Sequence, residues 1–98
     1  MHQFDLKNRT AIITGGAQGF GLDIAKRFLN SGAKVIIWDI DEEELKKVVK
    51  EINNSNLSYN AVDVSNYKNV KQTVIEIEKS YNIDILINNA GITGSTSS

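Results

Sequence analysis

The segment Ile13–Phe28, ITGGAQGFGLDIAKRF, places four glycines between an apolar run and a helical pattern. Glycine inside a helix or strand costs roughly 0.5–1 kcal/mol relative to alanine, so this cluster requires a compensating role. A helix N-terminus carries unpaired N–H groups and partial positive charge, which attract phosphate. Gly15 is expected to form a tight turn, Gly19 to let a diphosphate approach, and Gly21 to let the helix pack closely on the strand. A strand–helix turn without a ligand is the alternative.

Short apolar segments alternate with amphipathic segments along the whole chain. The segments Thr10–Ile13, Val35–Trp38 and Ile83–Ile87 are apolar on both faces, which is typical of buried parallel strands. The weaker segment Leu57–Val62 suits an edge strand. Because consecutive parallel strands need right-handed crossovers, the order β-α-β-α-β-α-β predicts an α/β fold, the half of a Rossmann-type doubly wound parallel sheet.

The helical segments are recognised by apolar residues spaced three and four positions apart. One such face comprises Leu45, Val48, Val49 and Ile52, and the next comprises Tyr67, Val70, Val74, Ile77 and Tyr81. Ser65 is expected to cap the latter helix, and Gly32 to end the helix that follows the glycine segment. In this order the fourth strand returns beside the first and leaves an apolar edge. Residues 1–98 are therefore expected to be an incomplete dinucleotide-binding domain.

An acidic residue, Asp39, ends the second predicted strand, 18 residues after Gly21. Dinucleotide-binding folds use an acid about 20 residues after the glycines to bind the ribose hydroxyls. The alternative is a cap for the helix at Glu42, although Asp41 could serve there instead.

Asp39 also favours NAD over NADP. A 2′-phosphate about 4 Å from the carboxylate would be repelled by roughly 4 kcal/mol at an effective dielectric near 20. Half of that value still corresponds to more than a tenfold loss of affinity. The segment 15–21 contains no Arg or Lys, and Ile40 follows Asp39 where a phosphate-binding cation could stand.

Composition limits the other classes of function. The chain has 98 residues, a net charge of −1, no cysteine and no proline. Mixed charges give no electrostatic case for nucleic acid or a membrane surface as a partner, and the absence of cysteine excludes disulfides and thiolate metal sites. No apolar run suits a signal peptide, so a cytoplasmic location is expected. The single histidine, His2, lies in the N-terminal tail and is not expected to be catalytic.

Three motifs together resemble the short-chain dehydrogenase/reductase family. Thr14–Gly21 matches the family's Thr-Gly-x-x-x-Gly-x-Gly loop, Asp63-Val64 its acid after the third strand, and Asn88–Gly91 its Asn-Asn-Ala-Gly motif. The resemblance implies that Asp63 contacts the adenine amino group, with a helix cap shared with Ser65 as the alternative. Ala90 and Gly91 would pass close to the nicotinamide ribose, and Asn88 would hold the sheet together.

The expected cofactor-binding residues combine the fingerprint with this resemblance. They are Gly15, Gln18, Gly19, Phe20, Gly21, Asp39, Ile40, Asp63, Val64, Asn89, Ala90 and Gly91. Family members exchange a proton with substrate through a Tyr-x-x-x-Lys pair that lies beyond the Asn-Asn-Ala-Gly motif. Tyr67 and Lys71 have that spacing but precede the motif, and Tyr67 is expected to be a core residue. No catalytic residue or metal ligand is therefore expected within residues 1–98.

The resemblance implies an NAD-dependent oxidoreductase that moves hydride between nicotinamide and an alcohol or ketone carbon. This chain would supply the dinucleotide-binding part. The whole protein would be a homo-oligomer, a dimer or tetramer, acting on a small-molecule alcohol or ketone. The alternatives are a non-catalytic module that senses NAD and a folded segment that binds no ligand.

Overall fold

The computed structural model of the chain describes residues 6–89 and contains four strands and three helices in strict alternation. The elements in chain order are β1 (Thr10–Thr14), α1 (Gly19–Asn30), β2 (Lys34–Asp39), α2 (Glu42–Ile52), β3 (Leu57–Ala61), α3 (Tyr67–Glu78) and β4 (Ile85–Asn88). The predicted order of elements is therefore confirmed. Gly32, at φ +93°, follows α1 as the predicted stop.

The four strands form one parallel sheet in the order β3-β2-β1-β4. All five residues of β1 are buried, because strands lie on both sides of it and helices lie on both faces of the sheet. The chain moves outward through β2 and β3 and then crosses back to β4, so the doubly wound topology is confirmed. The topological switch lies at β1, and ligands bind at the carboxyl ends of strands at such points.

Two apolar clusters cover the two faces of the sheet. On one face α1 and α2 pack on the strands through residues that include Ala25, Leu29, Leu45 and Val48. On the other face Val70, Val74 and Ile77 of α3 pack with Ile12, Ile36, Trp38 and Val62. The sheet is thereby held between two helical layers, and its carboxyl edge carries the glycine segment.

The edge strand β4 differs from its sequence prediction in extent and burial. It begins at Ile85 rather than Ile83, because the Asp84 side chain accepts the Thr10 N–H at 2.9 Å in place of a backbone carbonyl. Its residues alternate between partly buried and exposed, and Leu86 is 61% exposed. The apolar edge is confirmed, whereas burial of this strand on both faces is not.

Two predictions about α3 are wrong. Its N-cap is Asn66, whose Oδ1 accepts the Asn69 N–H at 3.1 Å, so Ser65 does not cap the helix. Tyr67 is 75% exposed and is no core residue. It is the first residue of α3, and the face that packs on the sheet begins one turn later, at Val70.

Candidate functional site

Among the three helices of residues 6–89, only α1 begins without a side-chain cap. Gln18 precedes the helix in an extended conformation and makes no capping hydrogen bond through its side chain. The first turn contains no acidic residue, and Phe20 is 71% exposed. Gly19 has φ +60°, and a Cβ atom added there would meet nothing within 4 Å. Position 19 therefore borders open space, and the approach of a diphosphate there stays a prediction.

Gly21 serves the close approach of α1 to the preceding loop. A Cβ atom at Gly21 would collide with the Gly15 carbonyl oxygen and lie 2.8 Å from Asn89 Nδ2. The predicted packing role is confirmed, although the nearest partner is the turn at Gly15 rather than a strand. Gly16 has a similar role that the sequence did not reveal, since a Cβ atom there would lie 2.6 Å from Ile37 Cγ2.

Three hydrogen bonds join the segment Gly15–Ala17 to residues at or just after the ends of β2 and β4. Asn89 Nδ2 donates to the Gly15 carbonyl oxygen at 3.2 Å. The Gly16 N–H donates to the Trp38 carbonyl oxygen at 3.2 Å, and the Ala17 N–H donates to Asp39 Oδ2 at 3.4 Å. We call Gly15–Ala17 the glycine loop. Each of its three residues is bound by a different partner, so its backbone is ordered before any ligand arrives.

Asp39 ends β2 and does not cap α2. Its Oδ1 accepts the N–H groups of Ile40 at 2.8 Å and Asp41 at 3.3 Å. Asp41 is the cap, because its own Oδ1 accepts the Glu44 N–H at 3.2 Å. The carboxylate of Asp39 is therefore located beside the glycine loop, but it already receives three backbone N–H groups.

A pocket of about 170 Å³ lies between the carboxyl ends of β2 and β3. It is lined by Gly15, Trp38, Asp39, Ile40, Val62, Asp63 and Val64. A cavity of about 150 Å³ is large enough to bind benzene, so this pocket suits a ring-sized group. The lining includes five residues predicted to bind cofactor, and it places the exposed side chains of Ile40 and Val64 around two carboxylates. No lysine or arginine is among these lining residues.

Asp63 is held ionised at the far end of this pocket. Its Oδ1 accepts the Ser65 hydroxyl at 2.6 Å and the Ser65 N–H at 3.0 Å. These two bonds, the hydroxyl first, lower the pKa of Asp63 below its ordinary value of 3.8. Asp63 is not the cap of α3, since Asn66 has that role. The carboxylate is a pure acceptor at neutral pH, as contact with an amino group requires.

Asn88, the last residue of β4, and Asn89, which follows it, contact different neighbours. Thr14 Oγ1 donates to Asn88 Oδ1 at 3.2 Å and so links β1 to β4, in agreement with the structural role expected of Asn88. Asn89 is 7% exposed and donates to the glycine loop. Its side chain therefore supports the loop, and direct contact with a cofactor stays a prediction. Ala90 and Gly91 lie outside the described residues.

Residues 6–89 hold neither a metal-binding cluster nor a membrane-spanning helix. No group of three or more His, Cys, Asp or Glu side chains is arranged to hold a metal ion in this part of the chain. Among the helices described there, none has the length and apolarity needed to cross a membrane.

The known proteins to which this chain is similar are dehydrogenases and reductases. A family model described as short chain dehydrogenase matches residues 9–98. The 3-oxoacyl-[acyl-carrier-protein] reductase of Chlamydia pneumoniae is 43% identical over 91 residues, covering 90% of this chain and 37% of that protein. The NAD-dependent glycerol dehydrogenase of Listeria innocua is 39% identical over 90 residues, covering 91% of this chain and 35% of that protein. The chain thus spans little more than a third of the length of these relatives.

Solved structures agree with the fold. The 3-ketoacyl-(acyl-carrier-protein) reductase from Brucella melitensis, crystallised with NADH, is similar with a TM-score of 0.74 and 36% identity, over 82% of this chain and 33% of that chain. A short-chain dehydrogenase from Novosphingobium aromaticivorans gives a TM-score of 0.80 at 30% identity, over 84% of this chain and 31% of that chain.

Proposed function

The chain belongs to the short-chain dehydrogenase family, and we propose that residues 1–98 form the NAD-binding part of an oxidoreductase. The whole protein would transfer hydride between nicotinamide and an alcohol or ketone carbon of a small molecule. The observation that carries the proposal is the uncapped start of α1, with open space at Gly19, beside a pocket that ends in two carboxylates.

The diphosphate of the cofactor would lie at the start of α1. The first N–H groups of a helix have no partner within the helix, and the helix dipole favours an anion beside them. Glycine at position 19 leaves room for close approach, and the backbone of the glycine loop is already ordered by its neighbours. Ordering before binding reduces the entropy that binding must otherwise overcome.

The adenosine half would occupy the pocket between β2 and β3. Asp39 would accept a ribose hydroxyl, Ile40 and Val64 would contact the two faces of the adenine ring, and Asp63 would accept its amino group. The residues of this chain therefore bind and orient the cofactor. The bound nicotinamide supplies the hydride chemistry, and the proton donor for substrate is proposed to lie outside residues 1–98.

We propose NAD rather than NADP because of the charge of the pocket. Both titratable side chains in the lining are carboxylates, and a 2′-phosphate would lie against Asp39 without a cation among the lining residues. Two relatives have descriptions that mention a cofactor: a glycerol dehydrogenase described as NAD-dependent and a reductase crystallised with NADH.

Titration with NADH and NADPH tests the proposal. Trp38 is the only tryptophan of the chain and lines the pocket, so energy transfer from its indole to the reduced nicotinamide reports binding. We expect NADH to bind at least about tenfold more tightly than NADPH, as half of the estimated repulsion would give. Binding of neither nucleotide would contradict the proposed function. Tighter binding of NADPH would contradict the role given to Asp39 while leaving the dinucleotide site intact.

A further inference from the structure

We propose that Asp39 is also a positioning residue of the glycine loop, so that one carboxylate orders the diphosphate site and contacts the ribose. The inference rests on the proposed function, because it concerns how the same site is built. It begins from Ala17, which is 2% exposed and whose N–H donates to Asp39 Oδ2 at 3.4 Å.

A buried backbone N–H needs an acceptor, since native proteins leave very few unpaired. Asp39 Oδ2 is the acceptor that the structure shows for Ala17. The neighbouring Gly16 N–H uses the Trp38 carbonyl, which belongs to the same strand end. The last two residues of β2 therefore fix two consecutive N–H groups of the loop.

The carboxylate itself is oriented by the chain that follows it. Oδ1 accepts from Ile40 and Asp41, which fixes the side-chain rotamer and directs Oδ2 at Ala17. An ionised carboxylate offers about four acceptor positions, and three of them are taken by backbone N–H groups. One position remains on Oδ2, so Asp39 can bind a ribose hydroxyl without releasing the loop.

The positioning role and the charge of Asp39 predict opposite changes in diphosphate affinity when Asp39 is replaced. Removal of a negative charge near a diphosphate should strengthen anion binding if Asp39 acts only through its charge. If Asp39 positions the loop, its removal leaves the Ala17 N–H without an acceptor, the loop loses order, and diphosphate binding weakens. The ribose contact does not enter when the ligand is inorganic diphosphate, which has no sugar.

The test compares Asp39→Ser with Asp23→Ser. Serine at position 39 can still accept from the backbone two residues on and so retain the turn into α2, but it is too short to reach Ala17. Asp23 is an exposed carboxylate on α1, two residues after Gly21, and its replacement removes the same charge without touching the loop. Circular dichroism and thermal unfolding establish that both variants fold, and Asp39→Ala, which lacks any acceptor, is the second variant.

Amide hydrogen exchange of the ligand-free protein is measured first. In Asp39→Ser we expect Ala17 to exchange at least about tenfold faster relative to the β1 amides, the scale of a hydrogen bond to a charged group. In Asp23→Ser its protection should equal that of the wild type. Unchanged protection of Ala17 in both Asp39 variants would overturn the proposal, whatever the protein binds.

Titration with inorganic diphosphate follows. We expect its affinity to fall several-fold in Asp39→Ser and to stay equal or rise in Asp23→Ser. Tighter binding by Asp39→Ser than by the wild type would show that Asp39 acts through charge alone and would overturn the proposal. If the wild type binds neither diphosphate nor NADH while Ala17 still loses protection in Asp39→Ser, the proposed function fails and the positioning role stands.

Discussion

The starts of α1 and α2 lie at the same edge of the sheet but are built in opposite ways. Helix α2 begins with Asp41 as an N-cap bonded to Glu44, and its first turn carries three glutamates, Glu42, Glu43 and Glu44. Helix α1 begins after Gln18, which makes no side-chain cap, and its first turn has glycine and no acid. At α2 side chains cap the helix terminus and place negative charge beside it, whereas at α1 they do neither, as the proposed diphosphate site requires.

If the proposed function is correct, the start of α2 contributes to stability and the start of α1 to binding. A capped terminus gains about 1 kcal/mol from its side chain, and acidic residues in the first turn add a favourable interaction with the helix dipole. Helix α1 has neither contribution. The glycine loop that precedes it is instead hydrogen-bonded to Trp38, Asp39 and Asn89. Substitutions at these two termini should therefore separate loss of folding from loss of binding.

The largest effect is expected from Gly21→Ala. The added methyl group would collide with the Gly15 carbonyl oxygen, which is backbone and cannot rotate away, and would crowd the Asn89 amide. Overpacking costs typically 1–3 kcal/mol, and we expect about 3 kcal/mol here because the obstacle is rigid. Urea unfolding followed by circular dichroism measures the loss. A midpoint equal to that of the wild type would mean that α1 can move away from the loop without penalty.

Gly19→Ala should lower the free energy of unfolding less than Gly21→Ala does, but it should weaken NADH binding directly. Nothing lies within 4 Å of the added methyl group, so the cost arises only from φ +60°, about 1–2 kcal/mol. The same methyl group occupies the space through which a diphosphate would approach. NADH affinity should fall at least about tenfold in a variant that remains folded. Retained affinity would show that the diphosphate lies elsewhere.

Asp41→Ala and Gln18→Ala compare the two caps directly. Loss of the Asp41 bond to Glu44 should lower the free energy of unfolding by about 1 kcal/mol. Gln18→Ala should change the free energy of unfolding by no more than about 0.3 kcal/mol, because the Gln18 side chain makes no capping bond. Thermal unfolding of both variants gives the comparison. Equal losses would mean that α1 is capped by Gln18 after all.

Much of this architecture could be predicted from local sequence. Apolar runs and helical periods gave the alternation of elements, because they report directly which faces are buried. The ends of the elements and the exposure of single residues were less predictable. Errors arose where a side chain replaces a backbone hydrogen bond and in the first turn of a helix. The Asp84 carboxylate shortens β4, Asn66 rather than Ser65 caps α3, and Tyr67 precedes the packed face.

The site was predicted as a set of residues but not as a network. Spacing predicted Gly19, Gly21 and Asp39 as cofactor-binding residues, since the chemistry of a strand–helix corner restricts residue type there. It could not show that Gly16 packs against Ile37, or that Asp39 and Asn89 both bind the glycine loop. These contacts join residues 21 to 74 positions apart, and no local pattern in one sequence reports them.

The start of α3 is the third helix start at this edge of the sheet, and the effect expected of a substitution there is the smallest. Asn66 caps the helix, whereas Ser65 bonds Asp63 Oδ1 through both its hydroxyl and its N–H. These bonds favour the ionised form, which places the pKa of Asp63 in the folded protein below its unfolded value of 3.8. The associated stability is present above that unfolded value and is lost as pH falls through the folded value.

Ser65→Ala should therefore raise the pKa of Asp63 toward its ordinary value, because the hydroxyl bond is the larger of the two causes. Carbon-detected NMR titration of the Asp63 carboxyl group in both proteins measures the change. NADH affinity should be independent of pH near neutrality in both, since the carboxylate stays ionised there, and should decline at a higher pH in Ser65→Ala than in the wild type. Identical titration curves would show that Ser65 does not hold Asp63 ionised, and Asp63 would then differ little from a solvated surface carboxylate.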